Sequence, residues 1–267
     1  MFIALNKLLD IDEDVPPKGK YYLISESHND GSFLIHHFLS FFLKGGYNVC
    51  FIALVQSFTH YSSIAQKMGV NLNTTIQKGK LTFVEGLTCA VQSLETNEMA
   101  LDLQDNPFTG LTSSDSKFSL KLLHDKIQEE ISKFENDQPF LLLIDDVSAF
   151  LGLGVSVVDI QDFVQYCLLS VSSSDKVGCL VTLVHADHDT GESEEENLER
   201  HLIYKCDTQL HVKGLSTGFC REVHGELEII NHNLATKTGR ASERIVQYKI
   251  MDKNVNFFAP GNSASVL

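Results

Sequence analysis

The chain has 267 residues, 43% of them hydrophobic, and its 35 acidic residues against 21 basic ones give a formal net charge of -14. That length and apolar content allow a sizeable buried core, and no Pro/Gly/Ser-rich linker divides the chain, so a single domain over residues 1–267 is the expectation. An acidic surface repels polyanions, which disfavours RNA or DNA binding by this chain alone, and no apolar run approaches the ~20 residues that span a bilayer.

The opening stretch MFIALNKLLDIDEDVPPK reaches charge too early for a secretion signal, so an intracellular protein is expected. YYLIS (Tyr21 to Ser25) then reads as a short buried strand and SFLIHHFLSFFLK (Ser32 to Lys44) as a long helix, with ESHNDGSF (Glu26 to Phe33) bridging them. Strand, loop and helix in that order are the setting of a phosphate-binding loop. With Gly31 as its second glycine, Glu26 stands where the first glycine belongs, Ser32 replaces the lysine, and Phe33 replaces the magnesium-binding Ser/Thr. Phosphate binding needs close backbone N–H groups and a lysine, whereas Glu26 and Asp30 set negative charge beside the ligand. Glu26, Asp30, Gly31 and Ser32 therefore read as a vestigial phosphate loop, in which Asp30 is expected to cap the helix instead.

From Phe33 to Lys44 only His36, His37, Ser40 and Lys44 are polar, and they form one narrow stripe. One sheet face would not cover so wide an apolar arc, which makes Phe38, Phe41 and Phe42 candidates for a subunit interface and the two histidines a solvated stripe. Gly45-Gly46 stops the helix, and NVCFIALV (Asn48 to Val55) is a buried strand. Phe58, Tyr61, Ala65 and Met68 recur at helical spacing, with Ser57 as N-cap and Gly69 past the end. LTFVEGL (Leu81 to Leu87) reads as a strand, and residues 95–115 as a flexible loop.

Leu120, Leu123, Ile127, Ile131 and Phe134 make a helical stripe that leads into FLLLIDD (Phe140 to Asp146). That run has the form of a Walker B strand with Asp145 and Asp146 as vestigial metal ligands, although any parallel strand can end in acidic residues. A further helix carries Ile160, Phe163, Val164, Cys167, Leu168 and Val171, followed by the strand GCLVTLVH (Gly178 to His185). Alternating strands and helices predict an α/β fold, its mostly parallel sheet covered on both sides. HADHD (His185 to Asp189) lacks further ligands at metal spacing and reads as solvated, and seven acids between His185 and Arg200 suggest a flexible loop over 186–198. The last quarter, LIYKCDTQLHV, GFCREV, GELEII and YKIMDKNVNFFA, reads as antiparallel strands added to one edge. Six cysteines without a CxxC pair read as buried reduced thiols, and no hydrolase or metalloprotease motif appears, so no enzyme activity, cofactor or metal is expected.

Four blocks, DGSFLIHHFLSFFLK (Asp30 to Lys44), ALVQSFTHYS (Ala53 to Ser62), GLSTGFCREVHGEL (Gly214 to Leu227) and QYKIMDKNVNFFAPG (Gln247 to Gly261), resemble subunit six of the Elongator complex. The resemblance runs the length of the chain. It implies a RecA-like ATPase fold with a degenerate P-loop, a hetero-hexameric ring formed with Elongator subunits four and five, and contact with the Elongator catalytic core. It also implies a supporting part in tRNA wobble-uridine modification, with tRNA met only through the assembled ring, and a cytoplasmic or also nuclear location. Related rings use a basic finger on a late strand, but GELEIINHN has none, which leaves Arg221 and the neighbouring Phe219 as interface candidates. The alternatives are a divergent ATPase using Asp145 or Asp146 and a free-standing RNA-binding module.

Overall fold

A computed structural model describes residues 2–12, 14–95, 106–108, 116–135, 138–173, 177–187, 193–215, 218, 220–232 and 242–260. The elements begin with α1 (Ile3–Leu8), β1 (Lys20–Ser27), α2 (Ser32–Lys44), β2 (Asn48–Ala53), α3 (Phe58–Lys67), α4 (Leu72–Gln77) and β3 (Leu81–Glu85). They continue with α5 (Gly86–Glu95), α6 (Ser116–Ser132), β4 (Phe140–Ile144), α7 (Ala149–Gly152), α8 (Val157–Val171) and β5 (Gly178–His185). The chain then forms α9 (Glu194–Ile203), β6 (Thr208–Lys213), β7 (Gly225–Asn231), β8 (Ser242–Ile250) and β9 (Val255–Phe258).

Among the described residues nine strands make one sheet in the order β3-β2-β4-β5-β1-β6-β7-β8-β9. Pairing is parallel from β3 through β6 and antiparallel from β6 through β9. The chain travels outward from β1 to β3 and then back toward β6, so crossovers of one hand must change faces where the direction reverses. They do. The outward helices α2, α3 and α4 share one core with α1, while the returning helices α5 to α9 pack in a second core on the other face.

Several sequence expectations differ from these elements. Thr208–Lys213 lies parallel to β1, because α9 provides a crossover that LIYKCDTQLHV hid by running a helix end into a strand. GFCREV is not a strand: its described residues belong to the connection between β6 and β7, where Arg221 is exposed, and Phe219 lies outside the described residues. Of the acidic loop expected over 186–198, Glu194 onward is helical, since Ser193 caps the helix by accepting from Glu196 N–H and three glutamates occupy its first turn, where the helix dipole favours them. Residues 188–192 lie outside the described residues, as does most of 95–115, although Phe108 is buried in the second core and Asn106 donates to the Cys89 carbonyl.

The largest correction concerns α2. Phe38, Phe41 and Phe42 are 0%, 3% and 0% exposed, and His36 and His37 are buried as well. The apolar arc that one sheet face would leave bare is covered inside the chain, by α3 on one side and by α1, β8 and β9 on the other. Phe33 packs on Tyr248 at 4.8 Å, Ser40 Oγ meets Met68 Sδ at 3.6 Å, and His37 stacks on Phe2 at 5.6 Å while its Nδ1 accepts the Phe2 N–H. Burial holds His37 neutral, its pKa lowered to about 3. These three phenylalanines therefore stabilise the monomer and are not available to a partner. Truncating a fully buried phenylalanine removes its transfer free energy and leaves a cavity. Phe42→Ala is expected to lower the stability of the isolated chain by about 3–5 kcal/mol in denaturant titration.

Candidate functional site

Open parallel sheets gather ligands at the carboxyl ends of their strands, where the crossover direction reverses. Here that edge is built from the loop after β1 together with the ends of β2, β4 and β5. It holds Glu26, Asp30, Asp145, Asp146, His185 and Asp187.

The loop from Ser27 to Gly31 turns sharply, with His28 in the left-handed region at φ 52°. Glu26 points into the turn, and its Oε2 accepts the Gly31 N–H at 2.6 Å. Asp30 Oδ1 accepts the Ser32 N–H at 2.7 Å. Gly31 is the N-cap residue, so Asp30 serves the helix from one position upstream. Two backbone donors that an anion would need are thus taken by the chain's own carboxylates. Gly31 has an ordinary φ, and the reason for glycine is space: a Cβ there would lie 3.1 Å from Glu26 Oε2 and 3.3 Å from both Ile24 Cγ2 and Val212 Cγ2.

Burial raises the Glu26 pKa, and the nearby Asp30 and Asp146 add to the rise against the Gly31 N–H. Glu26 Oε1 faces His185 Nδ1 at 3.3 Å, and His185 Nε2 faces Asp187 Oδ2 at 3.2 Å. Burial opposes charge on His185, but Asp187 and Glu26 outweigh it and hold its pKa above the ordinary value. Asp187 also accepts the His28 N–H at 2.9 Å, which draws its own pKa down. At its described end the HADHD stretch stays partly solvated, and His185 and Asp187 also tie the loop after β1 to the end of β5.

Asp145 is buried, and both its oxygens are engaged. Oδ1 accepts Leu54 N–H at 2.6 Å, while Oδ2 accepts Val55 N–H at 3.2 Å and Tyr61 O–H at 2.8 Å. It closes the end of β2 and fixes the start of α3. Desolvation still raises its pKa despite those donors. Asp146 Oδ1 accepts Ser148 N–H at 2.8 Å and the Ser148 hydroxyl at 2.5 Å. Burial pushes the Asp146 carboxyl up to about 6, and Asp145 adds to the rise. No cluster of metal-ligand side chains occurs among the described residues.

Sequence reasoning found these carboxylates but missed Tyr61 as a partner of Asp145, and it missed Asn29. Asn29 Nδ2 donates to the His224 carbonyl at 3.0 Å and to Tyr248 Oη at 2.7 Å, tying the loop to the antiparallel strands. Gly225 makes room, since a Cβ there would collide with Asn29 Nδ2 and the Lys213 carbonyl. Partners some two hundred residues apart leave no local signal.

The sequence profile of a family described as Elongation complex protein 6 matches residues 2–252. The chain belongs to this family. It is 41% identical over 271 residues to the Elongator complex protein 6 of Xenopus tropicalis and 38% identical over 272 residues to that of Homo sapiens, covering all of each chain. Similarity to the Drosophila melanogaster protein of the same name is 24% over 249 residues, 91% of each chain.

Two substitutions test the roles of the acids. Asp145→Ala removes the acceptor of three buried or half-buried donors and is expected to cost about 3 kcal/mol or more, read by chemical unfolding, whereas an exposed ligand acid would cost little. Asp146 has a folded-state pKa above its unfolded value, so its contribution to stability is present at low pH and is lost as pH rises through about 6. Asp146→Asn, which retains an acceptor for Ser148, is accordingly expected to stabilise the chain by roughly 1–3 kcal/mol at pH 8, with the gain fading by pH 4 in unfolding curves across pH.

Proposed function

We propose that this chain is a non-catalytic subunit of an Elongator assembly, with a RecA-like fold whose phosphate loop is degenerate. The observation that carries the reading is the Gly31 N–H bonded to Glu26 Oε2 at 2.6 Å: the donor that would meet a phosphate is closed by a carboxylate of the same loop. Family membership supplies the assembly. The sheet supports the fold reading, with β1 and its loop separated from the acid-ended β4 by the single strand β5, and both loops at one edge. Asp145 supports the loss of catalysis, since two backbone N–H groups and a tyrosine hydroxyl engage both of its oxygens and take three of its roughly four lone-pair sites.

The role that follows is architectural. The chain completes a hetero-hexameric ring with Elongator subunits four and five, docks that ring on the catalytic core, and supports tRNA wobble-uridine modification in the cytoplasm or also the nucleus. Its own surface is acidic, so tRNA is met by the ring and not by this chain alone.

Coexpression with subunits four and five, followed by native mass measurement and nucleotide binding, tests both halves. The expected results are a hetero-hexamer containing this chain and no magnesium-ATP binding or turnover by the chain alone. A monomer that ignores both partners overturns the assembly, and magnesium-dependent hydrolysis abolished by Asp146→Asn overturns the non-catalytic reading in favour of a divergent ATPase.

A further inference from the structure

We propose that Glu26, His185 and Asp187 form a proton-operated latch, in which an imidazolium at His185 holds the loop after β1 closed and loss of its proton in alkaline medium releases that loop. Geometry sets the proton count. Nδ1 of His185 lies 3.3 Å from Glu26 Oε1 and Nε2 lies 3.2 Å from Asp187 Oδ2, so each ring nitrogen faces a carboxylate oxygen. A neutral imidazole has one N–H and one lone pair, and an ionised carboxylate offers only lone pairs. With a neutral ring, one of the two contacts sets lone pair against lone pair. Only a ring protonated at both nitrogens serves both acids.

Each acid passes the hold of the ring on to the loop. The second oxygen of Glu26, Oε2, accepts the Gly31 N–H at 2.6 Å, and Asp187 Oδ1 accepts the His28 N–H at 2.9 Å, so one loop amide stands behind each end of the imidazole. Between them the backbone turns through His28 at φ 52°, a left-handed setting that a residue with a side chain keeps when its surroundings enforce it. The two acids are part of that enforcement. Asn29 stays bonded to Tyr248 Oη and to the His224 carbonyl, so release loosens the His28 and Gly31 amides without unfolding the sheet edge.

The surrounding charges favour the protonated ring. Asp146, at the end of β4, attracts it, Asp30 and Asp146 add negative charge beside Glu26, and His28 Nδ1 stands 3.4 Å from Asp187 Oδ1 on the side away from His185. The pKa of His185 is held above the ordinary value, so its contribution to the closed loop is present below that value and is lost as pH rises through the folded one. Glu26, raised by burial, acts in the same direction. Asp187 is lowered, so its contribution persists above the ordinary carboxylate range and fails only in acid. The latch is thus closed in mildly acidic and neutral medium and opens above it. Half-exposure of the His185 and Asp187 side chains, 43% and 39%, screens their attraction and keeps the response local to the loop. The inference concerns the isolated chain and stands apart from its assembly.

The test is a titration of the isotopically labelled full chain from pH 6 to pH 9, followed by nuclear magnetic resonance at the His185 ring nitrogens and by hydrogen exchange at the loop amides. Both ring nitrogens are expected to carry a proton at pH 6 and one of them at pH 9. Over the same range the protection of the His28 and Gly31 amides, corrected for base catalysis, is expected to fall by about tenfold, while that of buried Leu143 on β4 holds. Glu26→Gln is the second arm: its amide oxygen still accepts the Gly31 N–H and its NH2 meets the lone pair of a neutral ring. In that variant His185 is expected to lose its proton at lower pH and Gly31 to stay protected throughout. His28→Asn, which tolerates the left-handed backbone, is expected to keep the response at Gly31. A singly protonated His185 at pH 6, flat protection at both amides, an equal fall at Leu143, or an unchanged pH response in Glu26→Gln overturns the proposal. The titration of the unsubstituted chain decides it even where the variant does not fold.

Discussion

The encasement of α2 is the constraint on which the remaining structure rests. A helix with eleven successive buried residues, Phe33 to Leu43, cannot be satisfied by one sheet face, and α1, α3, β8 and β9 are arranged around it. That arrangement fixes the loop that precedes the helix. With Phe33 packed on Tyr248 and Asn29 bonded to the same tyrosine, the turn from Ser27 to Gly31 is tied to β8.

From this follows the chemistry of the carboxyl edge. Three of its acids lie in partly or fully desolvated places, and each is held by donors from its own chain, Glu26 by Gly31, Asp145 by Leu54, Val55 and Tyr61, and Asp146 by Ser148. Each of these bonds compensates part of the cost of taking a carboxylate out of water. These acids join strand ends to helix starts.

The sheet and the helices of the parallel half were legible because their signals are local. GCLVTLVH and FLLLIDD are short apolar runs, and the stripe from Leu120 to Phe134 repeats at helical spacing, each residue buried as the pattern requires. The candidate acids were legible for the same reason, since strand ends mark the functional edge. The hidden parts depended on distant partners. Phe38, Phe41 and Phe42 looked like interface residues because the sequence shows how apolar a helix is but not how many elements surround it, and His36 and His37 looked solvated because their spacing matched a polar stripe. Arg221 looked like part of a hairpin because its flanking residues alternate, while the chain there only connects β6 to β7.

By itself the sequence determined the α/β class, the family, and the absence of a lysine from Glu26 to Phe33, because those depend on residue type and short spacing. Only the tertiary structure decided how that stretch and the acids beside it are held. That Glu26 fills the Gly31 donor, that Tyr61 and two backbone amides consume Asp145, and that α2 is enclosed by its own chain are all contacts between elements far apart in sequence. Such contacts form because buried polar groups must find partners and apolar arcs must find cover, and the fold determines which residues are near enough to provide them.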